Sequence, residues 1–303
     1  MPLKLLSDIL YIIVYHLVRY RLKVTRTNLR NAYPDRSRAQ LRELEKAYYR
    51  HISDLFIEGI HNLYASPRSI LRRYHFVNRE LVNDYYEKGQ SVILLSSHYN
   101  NWEYMITSLN FQIRLHAVGV GKPLNDRFVA SYITRRRSRF GTQIVDQTDV
   151  RKTMAYYHQH HVPCAYMMLS DQSPSNEHKS YWTTFLHQET PFLYGAEYFA
   201  RLYDLPVLYY EVTKIRRGHY QVQFSTLCDQ PSQVPQYTIT SRYVQLLTAT
   251  INAAPQYWLW SHKRWKRHRP ADMPLMPNPV ETPHTNTNAT NILHNTSCPT
   301  QQS

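Results

Sequence analysis

Two rhythms of apolar and polar positions alternate through the middle of this chain. Short β-branched or apolar runs at 91–97 (SVILLSS), 115–120 (LHAVGV), 162–169 (VPCAYMML) and 206–212 read as buried strands, and 220–225 as a shorter alternating one. Between them lie segments with helical spacing. Ser37, after the punctuation of Pro34-Asp35-Arg36, is placed to cap a helix from 38 that continues to Tyr64 and stops before Pro67. Further helices are expected at 101–111, 126–140, 190–202 and 237–253, with Pro191 tolerated in the first turn of the helix at 190–202. Strands alternating with helices of 10–15 residues predict an α/β fold around a parallel or mixed central sheet.

The two ends break this pattern. Residues 1–18 are mostly apolar but are interrupted by Lys4, Asp8 and His16. The cleanest apolar run, 9–15, is far short of the roughly 20 residues that a membrane span requires. Arg19, Lys23, Arg26 and Arg30 then follow at helical spacing. An apolar segment joined to a basic helix suits an interfacial anchor, with cations among lipid phosphates; an ordinary first helix packed on the core is the alternative. From 269 to 303 the chain lacks aromatic residues and is rich in Pro, Thr and Asn, so it is expected to be a disordered polar tail. The expected division is therefore an anchor at 1–18, a folded domain at 19–268 and a tail.

Charge narrows the class of partner without choosing it. Thirty-six Lys and Arg against 22 Asp and Glu give a net charge of +14, which favours nucleic acid, an anionic membrane or a phosphorylated small molecule. Cys164, Cys228 and Cys298 are too scattered for a disulfide framework or zinc knuckle, and His158, His160 and His161 lack a matching ligand pattern, so no metal is expected. With seven glycines and neither a GxGxxG nor a P-loop motif, nucleotide-phosphate loops are not expected.

Polar motifs stand where two strands should end: Ser97-His98-Tyr99-Asn100-Asn101-Trp102-Glu103 and Ser170-Asp171-Gln172. Open α/β sheets place ligands at the carboxyl ends of their strands. The spacing of His98 and Glu103 excludes an HExxH zinc motif, but it fits a histidine base with a carboxylate that fixes its tautomer; a structural pair would look the same. No GxSxG elbow is present and no cysteine neighbours His98, so the base would activate a hydroxyl of the substrate. Trp258, Trp260 and Trp265 interleave with Lys263, Arg264 and Lys266, a pattern shared by RNA-binding surfaces and membrane interfaces.

At these residues the chain resembles a family. His98-x4-Glu103 within LLSSHYNNWE (94–103) is similar to the signature of the bacterial lipid A late acyltransferases, which add secondary lauroyl or myristoyl chains. Residues 20–34, Lys122-Pro123-Leu124-Asn125 with the arginine-bearing 135–141, 170–172 and 255–266 resemble its other blocks, so the likeness runs from about 8 to 268. Tyr99-Asn100-Asn101 resembles Bacteroides-type sequences, whose relatives use other hydroxylated lipids such as aminoacyl lipids or pigments.

The resemblance implies a glycerolipid-acyltransferase-like fold with a mixed sheet and an N-terminal membrane-associated helix, at the cytoplasmic face of the bacterial inner membrane. It implies lipopolysaccharide biosynthesis: acyl transfer, without a cofactor, from an acyl carrier protein or CoA thioester to a hydroxyl of a lipid A precursor. Membrane lipids are partners and nucleic acid is not. His98 is then the base and Glu103 its partner, with Arg137 and Asp171 as further catalytic positions. Asn101, Lys122, Arg139 and Gln172 are candidate substrate-binding residues. Arg19, Lys23, Arg26, Lys263 and Arg264 are candidate membrane-facing cations, while Trp258 and Trp260 close the core. Arg137 would polarise the thioester carbonyl or hold a lipid phosphate, and Asp171 would orient Arg137 or the histidine neighbourhood. A non-catalytic basic binding protein is the alternative from another class.

Overall fold

In a computed structural model, residues 2–122 and 126–277 are described. Seven strands form one sheet: β1 (Tyr74–Phe76), β2 (Val92–Ser96), β3 (His116–Gly121), β4 (Gln143–Asp146), β5 (Cys164–Leu169), β8 (Val207–Arg216) and β9 (His219–Cys228). Their order is β1-β9-β8-β2-β5-β3-β4. The strands from β8 to β4 are mutually parallel, and β9 reverses direction by hairpin from β8 and pairs in parallel with β1. The sheet is thus mixed. β2 and β5 are central and almost wholly buried, which explains why their sequences are continuous apolar runs rather than alternating ones.

Helices cover both faces. They include α3 (Arg38–Tyr64), α4 (Pro67–Arg73), α6 (Trp102–Gln112), α7 (Arg127–Ser138), α9 (Gly195–Tyr203) and α10 (Thr238–Ala253). Ser37 begins α3 as anticipated: its hydroxyl accepts from the Gln40 amide while the Gln40 side chain returns to the Ser37 N–H. One expected helix, at 190–202, begins later than expected. Residues 188–193 form β7 (Gln188–Leu193), paired antiparallel with β6 (Ser180–Phe185), and only 195–203 are helical. Pro191 fits because it lies on a two-stranded ribbon, where a missing N–H need not break a ladder.

The N-terminal layer has an unusual polarity. α1 (Pro2–Tyr11) runs into a π-helical turn at Ile12–Leu17 and lies antiparallel along α3. Its polar side faces inward: Ser7 donates to Asp54 at 2.6 Å and Tyr15 to Glu45 at 2.8 Å. Leu5, Leu6, Ile9, Ile12, Ile13 and Leu17 are exposed, as are Phe56, Ile60 and Tyr64 at helical spacing on α3. Among the described residues, no helix is long and apolar enough to cross a membrane.

At the other end the chain packs beyond residue 268. The Met276 N–H donates to the Trp182 carbonyl at 2.8 Å, and Arg269 pairs with Glu189 at 3.1 Å. Packing thus continues past the boundary expected at 268. Residues 278–303, most of the expected tail, lie outside the described residues.

Candidate active site

The register of the central strands builds the site. β2 and β5 are parallel with Ser96 opposite Leu169, and the pairing continues through the Ser170 N–H to the Ser96 carbonyl at 3.1 Å. Two residues beyond that pair on each strand stand His98 and Asp171, which therefore meet just beyond the carboxyl edge of the sheet. His98 Nδ1 donates to Asp171 Oδ1 at 2.7 Å, and the His98 backbone N–H donates to Oδ2 at 3.0 Å. Trp258 Nε1 also donates to Oδ2, at 2.9 Å. Burial raises the pKa of Asp171, but the neighbouring His98 charge and these hydrogen bonds outweigh it and hold the carboxyl below its usual range.

This bonding selects a tautomer. With the Nδ1 proton directed at Asp171, His98 Nε2 keeps its lone pair and accepts from the Gln172 amide at 3.1 Å. The His98 side chain is 18% exposed while Asp171 is 3%, so the imidazole spans from a dry anchor to an accessible edge. The indole of Trp102 meets the ring edge-on at 5.1 Å between centroids.

The turn that carries His98 is held from several sides. Asn100 is left-handed at φ 53°, a conformation asparagine tolerates better than most residues. Its N–H donates to the Tyr257 carbonyl and its amide to the Val212 carbonyl at 2.6 Å. Asn101 is buried, caps α6 by accepting from the Tyr104 N–H, and donates to Glu58 at 2.7 Å. Its side chain thus has structural partners rather than an open face for substrate.

Glu103 lies elsewhere than expected. It pairs with Arg137 through Nε at 2.9 Å and Nη2 at 2.5 Å, each side chain being 28% exposed. Glu103 is therefore not the orienting partner of His98; Asp171 occupies that place. The neighbouring arginines do different work. Arg139 donates to the carbonyls of Arg136, Asn62 and Ala65, and Arg136 to that of Leu63 at 2.6 Å, so both satisfy the open carboxyl end of α3. Arg139, a candidate substrate-binding residue, is thus engaged at this helix end. Lys122 is exposed after β3.

The closing segment also departs from expectation. Arg264, read as membrane-facing, is 1% exposed, donates to the Pro191 carbonyl at 2.6 Å and lies over the Phe192 ring. Burial pulls its pKa down to about 10. Hydrophobic Trp258, Phe192 and Trp265 enclose this part of the chain, so the charge run is not one continuous outward face. Arg26 is exposed but its guanidinium is tied to Glu45 at 2.7 and 3.0 Å; Arg19, Lys23 and Lys263 are exposed. Trp258 and Trp260 are buried, as core closure requires. The donor role of Trp258 toward Asp171 carried no signal in the sequence. Among the described residues, no group of three or more His, Cys, Asp or Glu side chains is placed to hold a metal ion.

A strand-end histidine with a buried carboxylate partner is general acid–base machinery but does not specify a reaction. The decisive comparison is at the level of the whole chain: residues 1–267 match the family described as bacterial lipid A biosynthesis acyltransferase. The chain belongs to that family. It is therefore an enzyme of acyl transfer, and the mixed sheet flanked by helices is consistent with an acyltransferase-like fold. No curated protein matches the chain significantly.

Proposed function

We propose that this acyltransferase moves a fatty acyl chain from a thioester of acyl carrier protein or CoA to a hydroxyl of a lipid A precursor, working on the cytoplasmic face of the inner membrane. The observation that carries the chemistry is the 2.7 Å contact of His98 Nδ1 with Asp171, which leaves Nε2 as the basic nitrogen. In this reading Nε2 takes the acceptor hydroxyl proton as the oxygen attacks the thioester carbonyl. The tetrahedral intermediate then collapses, the C–S bond breaks, and the departing thiolate receives the proton from Nε2, giving an ester and a free thiol. Asp171 stabilises the transient imidazolium. Arg137, steadied by Glu103, offers its charge to the carbonyl oxygen or to a phosphate of the acceptor.

The exposed apolar sides of α1 and α3 support membrane contact, with Arg19, Lys23 and Lys263 reaching lipid phosphates. This is attachment at the interface rather than a span.

Purified His98→Ala protein with wild-type melting behaviour should lose about 10²- to 10⁴-fold in acyl transfer, the range of general-base assistance. Activity within tenfold of wild type, above a rough lower limit of that range, would refute the base assignment. Mass spectrometry of lipid extracts from cells with and without the protein identifies the acceptor. Loss of one acyl chain from a lipid A species is expected; loss from another hydroxylated lipid would overturn the acceptor but retain the chemistry.

A further inference from the structure

A second polar cleft lies away from His98, between the end of α4 and the β8–β9 turn. Two adjoining cavities, about 160 and 450 Å³, share Arg73, Arg216 and His219. The larger is completed by Ser69 and Arg72 and has no carboxylate in its lining. The smaller contains Asp54, which is paired with two cations, and Glu58, whose Oε2 accepts from neutral groups and whose pKa is raised by burial. Asp54 accepts from Ser7, Lys214 and Arg217, and Glu58 from Asn101 and Tyr220.

Around the larger cavity the cleft therefore gathers positive charge with no carboxylate in its lining. Arg73 Nη1 reaches only a neutral carbonyl, that of Gly218 at 3.3 Å, and Arg216 Nη2 approaches His219 Nε2 at 3.2 Å. The turn is shaped for this approach: Gly218 has φ +79°, and a Cβ there would stand 2.9 Å from Arg73 Nη1. Burial, followed by the charges of Arg216, Arg73 and Lys4, lowers the pKa of His219.

Position suggests what fills the cleft. β8 runs on from Tyr209, opposite Leu95, to Arg216, so its tip stands on the same edge of the sheet as His98. Leu3 and Lys4 of α1 line the smaller cavity, next to the helix whose Leu5, Leu6 and Ile9 are exposed. Ile215, also exposed, precedes the turn. An anion here would sit where an apolar surface meets a fork of guanidinium groups.

We infer that Arg72, Arg73, Arg216 and His219 form a binding site for a phosphate monoester, presented as the headgroup of an anionic lipid whose chains lie along α1. The inference rests on the membrane-surface reading proposed above. A monoester dianion suits this cleft better than a diester because several forked donors can share its terminal oxygens.

Flotation of the full chain tests it with vesicles of zwitterionic lipid carrying phosphatidic acid or, at matched surface charge, phosphatidylglycerol. Wild type should favour the phosphatidic acid vesicles. Arg72→Gln with Arg216→Gln, both at exposed positions, should weaken partition to them on the order of 25-fold, from about fivefold per cation, and erase the preference. Lys23→Gln should weaken both vesicle types alike. Melting curves establish that each variant is folded. In a second arm, calorimetry with inorganic phosphate and glycerol 3-phosphate reads the cleft without lipid.

Equal partition of wild type to both vesicle types, unchanged by the double substitution, would overturn the site while leaving membrane binding intact. Failure to float with any vesicle would overturn both the membrane reading and the lipid source. Binding of the soluble monoester that the double variant loses would, in that case, support the cleft as a site for a free phosphate ester.

Discussion

Two acid–base pairs stand within a few residues of each other in this acyltransferase, and their surroundings differ sharply. His98–Asp171 has a buried carboxylate held by an imidazole, a backbone N–H and an indole. Glu103–Arg137 has a bidentate contact at a half-buried surface between α6 and α7. The first pair joins the centre of the sheet and can fix one imidazole nitrogen relative to another. The second joins two helices and can fix a positive charge at a partly exposed surface. Proximity in sequence suggests His98 with Glu103, whereas the register of parallel strands instead brings together residues separated by 73 positions.

Substituting Asp171 tests this distinction most strongly. Asp171→Asn removes the charge that stabilises the imidazolium and permits the wrong tautomer of His98, so kcat should fall on the order of 10³- to 10⁴-fold. The pH–rate profile should change with it, because the acidic limb, set by protonation of the base, then reports an imidazole without its carboxylate. A variant with wild-type kcat would show that Asp171 only supports the fold.

Glu103→Gln and Arg137→Lys should have smaller effects, roughly 10- to 100-fold, because each breaks one charge-assisted pair without removing the base. A loss mainly in kcat places Arg137 at the developing oxyanion; a loss mainly in KM for the acceptor places it in ground-state binding. Arg135→Lys is the control, two helical positions away at roughly 100° per residue. If Glu103→Gln costs as much as Asp171→Asn and changes the same limb of the pH profile, the separation of the two pairs fails.

How legible each pair was depends on which interactions define it. The run at 92–96 reveals β2 because its apolar residues are continuous, and His98 stands out as the polar residue just beyond it. Asp171 likewise follows β5. The sequence left Asp171 to orient either Arg137 or the histidine neighbourhood, because the choice depends on β2 lying next to β5, a fact of topology rather than local pattern. The same limit applies at the closing segment, where Arg264 has the composition of a basic surface but is covered by β7 and aromatic rings. It also applies to Pro191, whose place in a hairpin depends on the facing strand β6 rather than on its own flanking residues. The family likeness singled out His98, Glu103, Arg137 and Asp171 as polar positions, and the topology shows how they pair.

The smallest expected effect sharpens the contrast through stability instead of rate. His262 lies beside the first pair and accepts from the Ser173 N–H at 3.3 Å; burial lowers its pKa to about 4, with the nearby Asp171 charge opposing. An unfolded histidine titrates near 6.5, so between about 6.5 and 4 the unfolded chain binds a proton that the folded chain refuses. Stability from this residue is therefore present above the unfolded pKa and is lost on acidification through that window. Below about 4 both states are protonated and the dependence ends. Thermal melting of wild type and His262→Gln across that range should show a shallower acid slope for the variant, with its largest relative gain at the acid end. An equal slope in wild type and His262→Gln would show that His262 does not carry the neutral, buried load assigned to it, and the dry environment attributed to the first pair would then lose one of its supports.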